Sequence, residues 1–326
     1  MANYLVTGAA GFIASRVAEM LLEEGHSVVG IDNLNDAYDV RVKHWRLARL
    51  EGRPGFTFHH MDIGDRAGLS QLCDQQTAPF DAVINLAARA GVRTSVIDPW
   101  VYVETNMVGT LNLLELCRQC SIPKFILAST SSLYGTNNPM PFREDANTDF
   151  PLQPYAASKK GAEAMSYAYH YLHGLDVTVL RYFTVYGPAG RPEMVMFNFI
   201  QWIREGREVR LNGDGEQKRG FTYLDDIARG TIAGLKPLGY EIINLGGHEL
   251  ITINKLIEMI EQRLGRKAQV VRMPLHPAAT LANWADVQKA KMLLGWEPQV
   301  SLEEGVTNAV NWYLAERSWA AQILTP

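Results

Sequence analysis

Tyr4-Leu5-Val6-Thr7-Gly8-Ala9-Ala10-Gly11-Phe12-Ile13-Ala14 decides the fold. A short apolar run enters a glycine turn, and Ile13, Val17 and Leu21 then recur at helical spacing until Gly25, a residue suited to a helix C-terminal cap. A strand, a glycine turn and a helix in that order let backbone N–H groups approach a pyrophosphate, while the helix directs its positive end at the charge. Glycine turns are common, and a tight strand–helix turn without a ligand is the plain alternative. Asp32 adds weight, because it closes the next apolar run, Ser27–Ile31. An acid there accepts hydrogen bonds from adenosine ribose hydroxyls and repels a 2′-phosphate, so NAD is predicted in preference to NADP. Ala14 takes the third small position, where the helix passes the sheet. Asp62 and Ile63, after the third strand, are predicted to flank the adenine.

Outward from this unit, apolar runs and helical periods keep alternating. Strands are predicted at Tyr4–Thr7, Ser27–Ile31, Phe56–His60, Ala82–Leu86, Phe125–Ala128 and Val177–Leu180. Asp98-Pro99 reads as an N-cap and first-turn proline opening a helix to about Cys120, and Pro154 opens another to about Leu172. After Arg181 the texture changes. Tyr182 to Gly220 is rich in Gly, Pro and Arg, and Thr222–Ala228 reads as helix. Thr252 caps an apolar stripe of Ile253, Leu256, Ile257, Ile260 and Leu264 that stops at Gly265, and Ser301 with Glu304 forms a capping box. The fold class is therefore α/β: a Rossmann-type doubly wound parallel sheet over residues 1–180 with a smaller, mostly helical C-terminal substrate lobe over 181–326. The chain is expected to cross back to the sheet once, near 221–245.

Composition narrows the function. Across 326 residues, 47% hydrophobic and 20% charged content is ordinary for a globular chain. A formal charge of −4 speaks against nucleic acid as a partner, so an anionic small ligand would need a local cluster of arginines. No apolar run approaches the roughly 20 residues that cross a bilayer, and no basic leader with an apolar stretch opens the chain. No membrane association is expected. Cys73, Cys117 and Cys120 are too few for a disulfide framework, which fits a cytoplasmic location, and Cys117-x-x-Cys120 reads as two small core residues, with no second pair to complete a metal site. His59-His60 lacks nearby ligand residues, so no metal is expected.

The chemistry centres on Tyr155. Of 13 tyrosines, only Tyr155 has a lysine four residues on, Lys159. In a helix the two share one face. Tyrosine is a poor base near neutral pH, since its reference pKa is about 10, and an adjacent ammonium favours the phenolate. Thr130, Ser131 and Ser132 follow the strand Phe125–Ala128, where their hydroxyls can hold a reacting oxygen in line with Tyr155.

These pieces together resemble an extended short-chain dehydrogenase/reductase of the nucleotide-sugar epimerase group. The matching segments are TGAAGFIA, GIDNLND, NLAA, ASTSSLYG, PYAASK, RYFTVYGP and NWAD, and they span nearly the whole chain. GIDNLNDAYDVRVK, AGVRTS, RYFTVYGPAGRPEM and RGFTYLDDIA are most similar to the UDP-glucuronate 4-epimerases within that group. The resemblance implies bound NAD, held by Gly8, Gly11, Phe12, Ile13, Asp32, Asn33, Asp62, Ile63, Leu86, Ala87 and Ala88 together with Tyr155 and Lys159. It also implies a UDP-sugar substrate inverted at C4 through a 4-keto intermediate, with Tyr155, Lys159 and Thr130 catalytic.

The resemblance assigns the sugar's carboxylate to Arg191, with Arg93 as a second candidate, and a bidentate arginine suits that task. Thr184 stands where many galactose-type relatives carry Asn. Related decarboxylases and dehydratases place an acid just after the catalytic Thr or Ser, whereas Thr130 is followed here by Ser131 and Ser132, which favours epimerisation. Arg219 is the expected diphosphate ligand, and Asn198 and Leu211 fall in the stretches that cradle the uridine. Two departures stand out. Pro277-Ala278-Ala279 replaces the usual Pro-Gly-Asp that helps hold the nucleotide, and Asn283 replaces a bulky tyrosine, which leaves N-acetylated sugars open. A UDP-glucose or UDP-N-acetylglucosamine 4-epimerase and a catalytically silent dinucleotide sensor are the competing readings. Finally, the helices Pro99–Cys120 and Pro154–Leu172 read as apolar around their circumference, which predicts a homodimer through a four-helix bundle.

Overall fold

The computed structural model describes residues 1–247, 249–274 and 282–325. Its first half runs β1 (Asn3–Thr7), α1 (Phe12–Glu23), β2 (Ser27–Asp32), α2 (Val40–Ala48), β3 (Phe56–His60), α3 (Arg66–Asp74), β4 (Ala82–Asn85), α4 (Val92–Ile97), α5 (Trp100–Tyr102), α6 (Thr110–Gln119), β5 (Lys124–Thr130), α7 (Pro154–His173) and β6 (Asp176–Tyr182). The second half continues with β7 (Thr184–Tyr186), α8 (Val195–Glu205), β8 (Glu208–Asn212), β9 (Lys218–Tyr223), α9 (Leu224–Ala233), β10 (Tyr240–Leu245), β11 (Leu250–Thr252), α10 (Ile253–Leu264), β12 (Gln269–Met273), β13 (Ala282–Asn283), α11 (Gln288–Leu294) and α12 (Leu302–Ala315).

Seven strands form one sheet in the order β10-β6-β5-β4-β1-β2-β3, parallel throughout. A parallel sheet is covered on both faces, so its strands are apolar on both. Leu5, Val29, Ile31, Val83, Phe125 and Leu127 pack with Leu69 and Leu72 of α3 and Leu113 and Leu116 of α6. The alternate residues Val6, Val28, Ile84 and Ile126 pack with Val17 and Leu21 of α1 and Ile227 of α9. A separate core gathers Phe197 and Trp202 of α8, Leu256 and Ile260 of α10, and Val306 and Tyr313 of α12. The chain winds outward from β1 to β3, then returns through β4 on the other side of β1. Ligands of open α/β sheets bind at the carboxyl edge beside such a reversal. Register puts Thr7 opposite both Ile31 and Asn85, so the turns after β1, β2 and β4 emerge side by side.

Several local expectations need correcting. Thr222 and Tyr223 complete strand β9, and helix begins only at Leu224. The helix after Asp98 takes its N-cap at Pro99 and is interrupted by a π-helical segment, Val103–Gly109, between α5 and α6. Cys120 is not one of a reduced trio: it is joined to Cys73, while Cys117 is free and buried. The reason is packing, since α3 and α6 lie side by side and end level, with the two Cα atoms 6.8 Å apart. The α5–α6 and α7 helices are not closed on all sides within one chain, for Trp100, Val103, Val108, Leu111, Tyr167, Tyr171 and Leu172 are exposed. Thr252 and Ser301 cap as expected, accepting from Lys255 N and Glu304 N. Among the described residues, no helix is long and apolar enough to cross a membrane.

Candidate active site

The floor of the site is backbone. Gly8 has φ 69°, and a Cβ there would lie 2.9 Å from Ala87 Cα. Gly11 N donates to Gly8 O at 2.6 Å, and a Cβ on Gly11 would come within 2.7 Å of that oxygen. Both positions exclude side chains, so the chain itself forms the surface. Asp32 braces the turn: Oδ2 accepts from Ala10 N at 3.1 Å and Oδ1 from Leu34 N at 2.8 Å. Thr7 Oγ1 donates to Asn85 Oδ1 at 2.8 Å and accepts from Ala87 N at 3.0 Å, which ties the turn after β4 to that after β1. Asn33 Nδ2 donates to Asp62, whose other oxygen accepts from Gly64 N at 2.7 Å.

Above this floor opens a cavity of about 470 Å³. Gly8, Gly11, Phe12, Ile13, Asp32, Asn33, Asp62, Ile63, Leu86, Ala87 and Ala88 line one side of it, and Thr130, Ser131, Ser132, Tyr155, Lys159, Thr184, Arg191 and Asn283 the other. Tyr155 sits in the first turn of α7, its ring edge-on to Tyr102 with centroids 6.0 Å apart. Burial pushes its hydroxyl above the usual tyrosine value, and the Thr130 hydroxyl and the Arg191 charge oppose that. Lys159 is 3% exposed, donates to Ala128 O at 2.8 Å, and is drawn down to about 8 by burial, with Glu163 opposing. Arg191 is the cation that opposes the rise at Tyr155. The four-residue spacing puts Tyr155 and Lys159 on one face, but the ammonium turns to the end of β5.

One turn beyond Lys159 lies a buried pair that the sequence did not reveal. Glu163 accepts from Arg181 Nε at 3.0 Å and Nη2 at 2.8 Å, and from Ser129 Oγ at 2.6 Å. It anchors α7 to β5 and β6 one turn beyond Lys159.

The wall opposite the glycine turn is made of side chains. Arg191 is paired with Glu193 and also donates to Ala90 O at 3.2 Å. Burial works against its charge, and Glu193, Tyr38 and Tyr155 outweigh it, so its pKa is raised. Ser131 Oγ accepts from Asn283 Nδ2 at 3.0 Å. Glu193 Oε2 and Asn283 Oδ1 are buried with no hydrogen-bond partner among the described residues. Buried acceptors left in this state call for donors, which a hydroxyl-rich ligand carries. Arg93 lies exposed on α4, away from the cavity lining. Arg89, four residues earlier, lines the cavity instead. Asn198, Leu211 and Arg219 also lie outside that lining; Asn198 and Leu211 are buried in the second half, and burial pulls Arg219 down. Pro277-Ala278-Ala279 falls outside the described residues. Among the described residues, no group of three His, Cys, Asp or Glu side chains gathers as a metal site would need.

Lys43, Arg89 and Glu193 line the cavity without having been singled out. Lys43 is 4% exposed, 3.9 Å from Asp32 and 3.2 Å from Asn35 Oδ1. Burial lowers its pKa, Asp32 opposes, and Arg89, Arg46 and Arg191 add to the fall. A signal existed: Val42, Lys43, Arg46 and Leu47 form the buried face of α2, so two cations occupy core spacing. Lys43, Arg89, Lys159 and Arg191 are cations that line the cavity.

Fold and cavity define a dinucleotide-binding enzyme of the extended short-chain dehydrogenase/reductase class. A family model described as GDP-mannose 4,6 dehydratase matches residues 5–309, and the chain belongs to that family. It is 56% identical over 313 residues to a UDP-glucuronate 4-epimerase of Thermodesulfobacterium geofontis, covering 96% of each. Among solved structures, the UDP-glucuronic acid 4-epimerase of Bacillus cereus in complex with UDP-glucuronic acid and NAD superposes with a TM-score of 0.90 at 37% identity, over 96% of this chain and 99% of that one. The UDP-glucose 4-epimerase of Thermotoga maritima with UDP-glucose gives 0.89 at 33% identity, over 97% and 99%.

Proposed function

We propose that the chain catalyses NAD-dependent 4-epimerisation of a UDP-sugar, and that the sugar is glucuronate, interconverted with galacturonate. The observation that carries the choice of sugar is Arg191, which lines the same cavity as Tyr155 and acts on its charge. The residues fit NAD: two glycines that leave backbone exposed, a helix N-terminus, and Asp32 at the end of β2, where an acid would meet the adenosine ribose. When bound, NAD accepts and returns the hydride at C4 of the sugar.

The chain's own residues do the rest. Tyr155 takes the proton of the 4-hydroxyl and gives one back, and Thr130 and Arg191 work against the burial that raises its pKa without cancelling it. Lys159, one turn along the same face of α7, is a further cation lining the site. Thr130, Ser131 and Ser132 hold the sugar's oxygen toward Tyr155. A 4-keto glucuronate is a β-keto acid, and it loses CO₂ when the carboxylate's charge flows into the ring. Arg191 pins that charge on the carboxylate, and the Thr130-Ser131-Ser132 run offers no acid beside the ketone. We assign residues 1–180, with the return through α9 and β10, to NAD, and 181–326 to the nucleotide sugar.

Incubation of UDP-glucuronate with purified protein and no added NAD tests the reading. UDP-galacturonate is the expected product. A UDP-pentose would mean decarboxylation, and conversion of UDP-glucose alone would favour the neutral-sugar epimerase. The exposed apolar face of α5, α6 and α7 supports a homodimer, and a monomer by light scattering at micromolar concentration would rule it out.

A further inference from the structure

Arg46 lies outside the lining of the cavity, yet it holds two chain segments that carry lining residues on opposite sides of it. The side chain comes inward from α2 and is 2% exposed. Nε and Nη2 donate to Ala189 O at 3.1 and 2.6 Å, while Nη1 donates to Ala10 O at 3.2 Å and to Tyr38 Oη at 2.7 Å. Its guanidinium carbon lies 5.5 Å from the ring centroids of both Phe12 and Tyr38.

The two carbonyls belong to different machinery. Ala10 is inside the glycine turn, and its N–H is the one Asp32 holds. Ala189 lies two residues before Arg191, with φ 51°, a left-handed conformation that an alanine adopts only when its surroundings impose it. Tyr38 adds a second link, for its ring also lies 5.8 Å from the Arg191 guanidinium. A buried guanidinium held by carbonyls and a hydroxyl is a poor way to stabilise a core. What its planar fork of donors supplies is geometry, because one rigid group fixes two loops at once.

We infer that Arg46 is a positioning residue that locks the pyrophosphate-binding turn to the loop carrying Arg191, so that cofactor retention and carboxylate recognition depend on one side chain. The inference rests on the role proposed above for Arg191.

The test uses Arg46→Met, which keeps the volume and removes every donor, and Arg46→Lys, whose single ammonium cannot hold both carbonyls squarely. Folding is checked by thermal melting. Arg46→Met is expected to purify with less than half of the wild-type NAD and to show about a tenfold higher KM for UDP-glucuronate, with a smaller change in kcat for NAD-replete enzyme. Arg46→Lys should fall between, and it decides the matter if the Met variant does not fold. Arg191→Ala should raise the same KM and keep its NAD. Adding Arg46→Met to Arg191→Ala should cost NAD without raising KM much further, because the two act on that KM through one loop. Full NAD retention with an unchanged KM in folded Arg46 variants overturns the inference, and so do fully additive effects on KM. If wild-type protein leaves UDP-glucuronate untouched, the proposed function fails on its own. NAD retention then still decides whether Arg46 holds the turn: full retention in folded Arg46 variants overturns the inference, and loss of NAD upholds its hold on that wall.

Discussion

The two walls of the cavity are built on different principles. The cofactor side is mostly main chain from a few strand ends, braced by Asp32 and Thr7. The side proposed for the sugar is mostly side chains: Ser131 after β5, Thr184 on β7, Arg191 and Glu193 in the following loop, and Asn283 on β13. A backbone site tolerates little change, because an added atom collides with something that cannot move. A side-chain site is adjustable, because one substitution alters one contact. Specificity is therefore expected to reside on the second wall, and the common chemistry at the seam between them.

That contrast can be broken or sharpened by substitution. The largest effect is expected at the seam: Tyr155→Phe should lower kcat by about 10³-fold while NAD stays bound, as judged by the absorbance of acid-released cofactor. On the backbone wall, Gly8→Val drives a branched side chain into Ala87 at a positive φ, and the protein should purify essentially free of NAD, with affinity reduced by roughly 10²-fold in calorimetry. On the side-chain wall, Arg191→Ala should cut kcat/KM for UDP-glucuronate about 10²-fold and leave any turnover of UDP-glucose nearly unchanged. Equal losses on both sugars would mean that Arg191 serves the fold rather than the carboxylate. A smaller effect of opposite sign is expected at Glu193, which competes with the substrate for Arg191: Glu193→Gln should lower KM for UDP-glucuronate by several-fold.

The smallest effect concerns pH. Lys159 is held at about 8 in the fold against an ordinary value of 10.5. Below pH 8 both folded and unfolded chains keep the proton, so the cost of burying the charge is fully present. Between those two values the unfolded chain binds more protons, and stability rises with pH. Urea midpoints measured from pH 7 to 10 should show this rise relative to Lys159→Met, and parallel curves would contradict it.

How much the sequence disclosed follows the same division. The placement of Gly8, Gly11 and Asp32 was legible because it depends on neighbours in sequence: strand, turn, helix, next strand. The six strands of the first half were legible for the same reason, since both faces of a parallel sheet demand apolar runs. Arg191, Thr184 and Asn283 carried no such local signal and became readable only through resemblance to a family. Arg93 shows the opposite failure, as a lone arginine near the site looks the same in sequence whether it points in or out. Lys43, Arg46 and Glu163 were hidden because charged residues ordinarily mark the exposed side of a helix, and here they mark the buried one. The link between Cys73 and Cys120 depends on two helices ending level, which no spacing rule records.

The π-helical segment Val103–Gly109 sets two phases in a single rod. Past it, Leu113 and Leu116 grip the sheet. Within it, Asn106 clasps the chain at the cavity rim, accepting from Arg89 N at 2.9 Å and donating to Arg89 O at 3.0 Å and Ser158 Oγ at 2.9 Å. An α-helical residue advances about 100° around the axis. Excising Val108 would restore uniform winding and swing Asn106 away by about that angle, undoing the clasp while the core stayed in place. The surplus residue works as a vernier, letting the rim be aligned separately from the foundation beneath it.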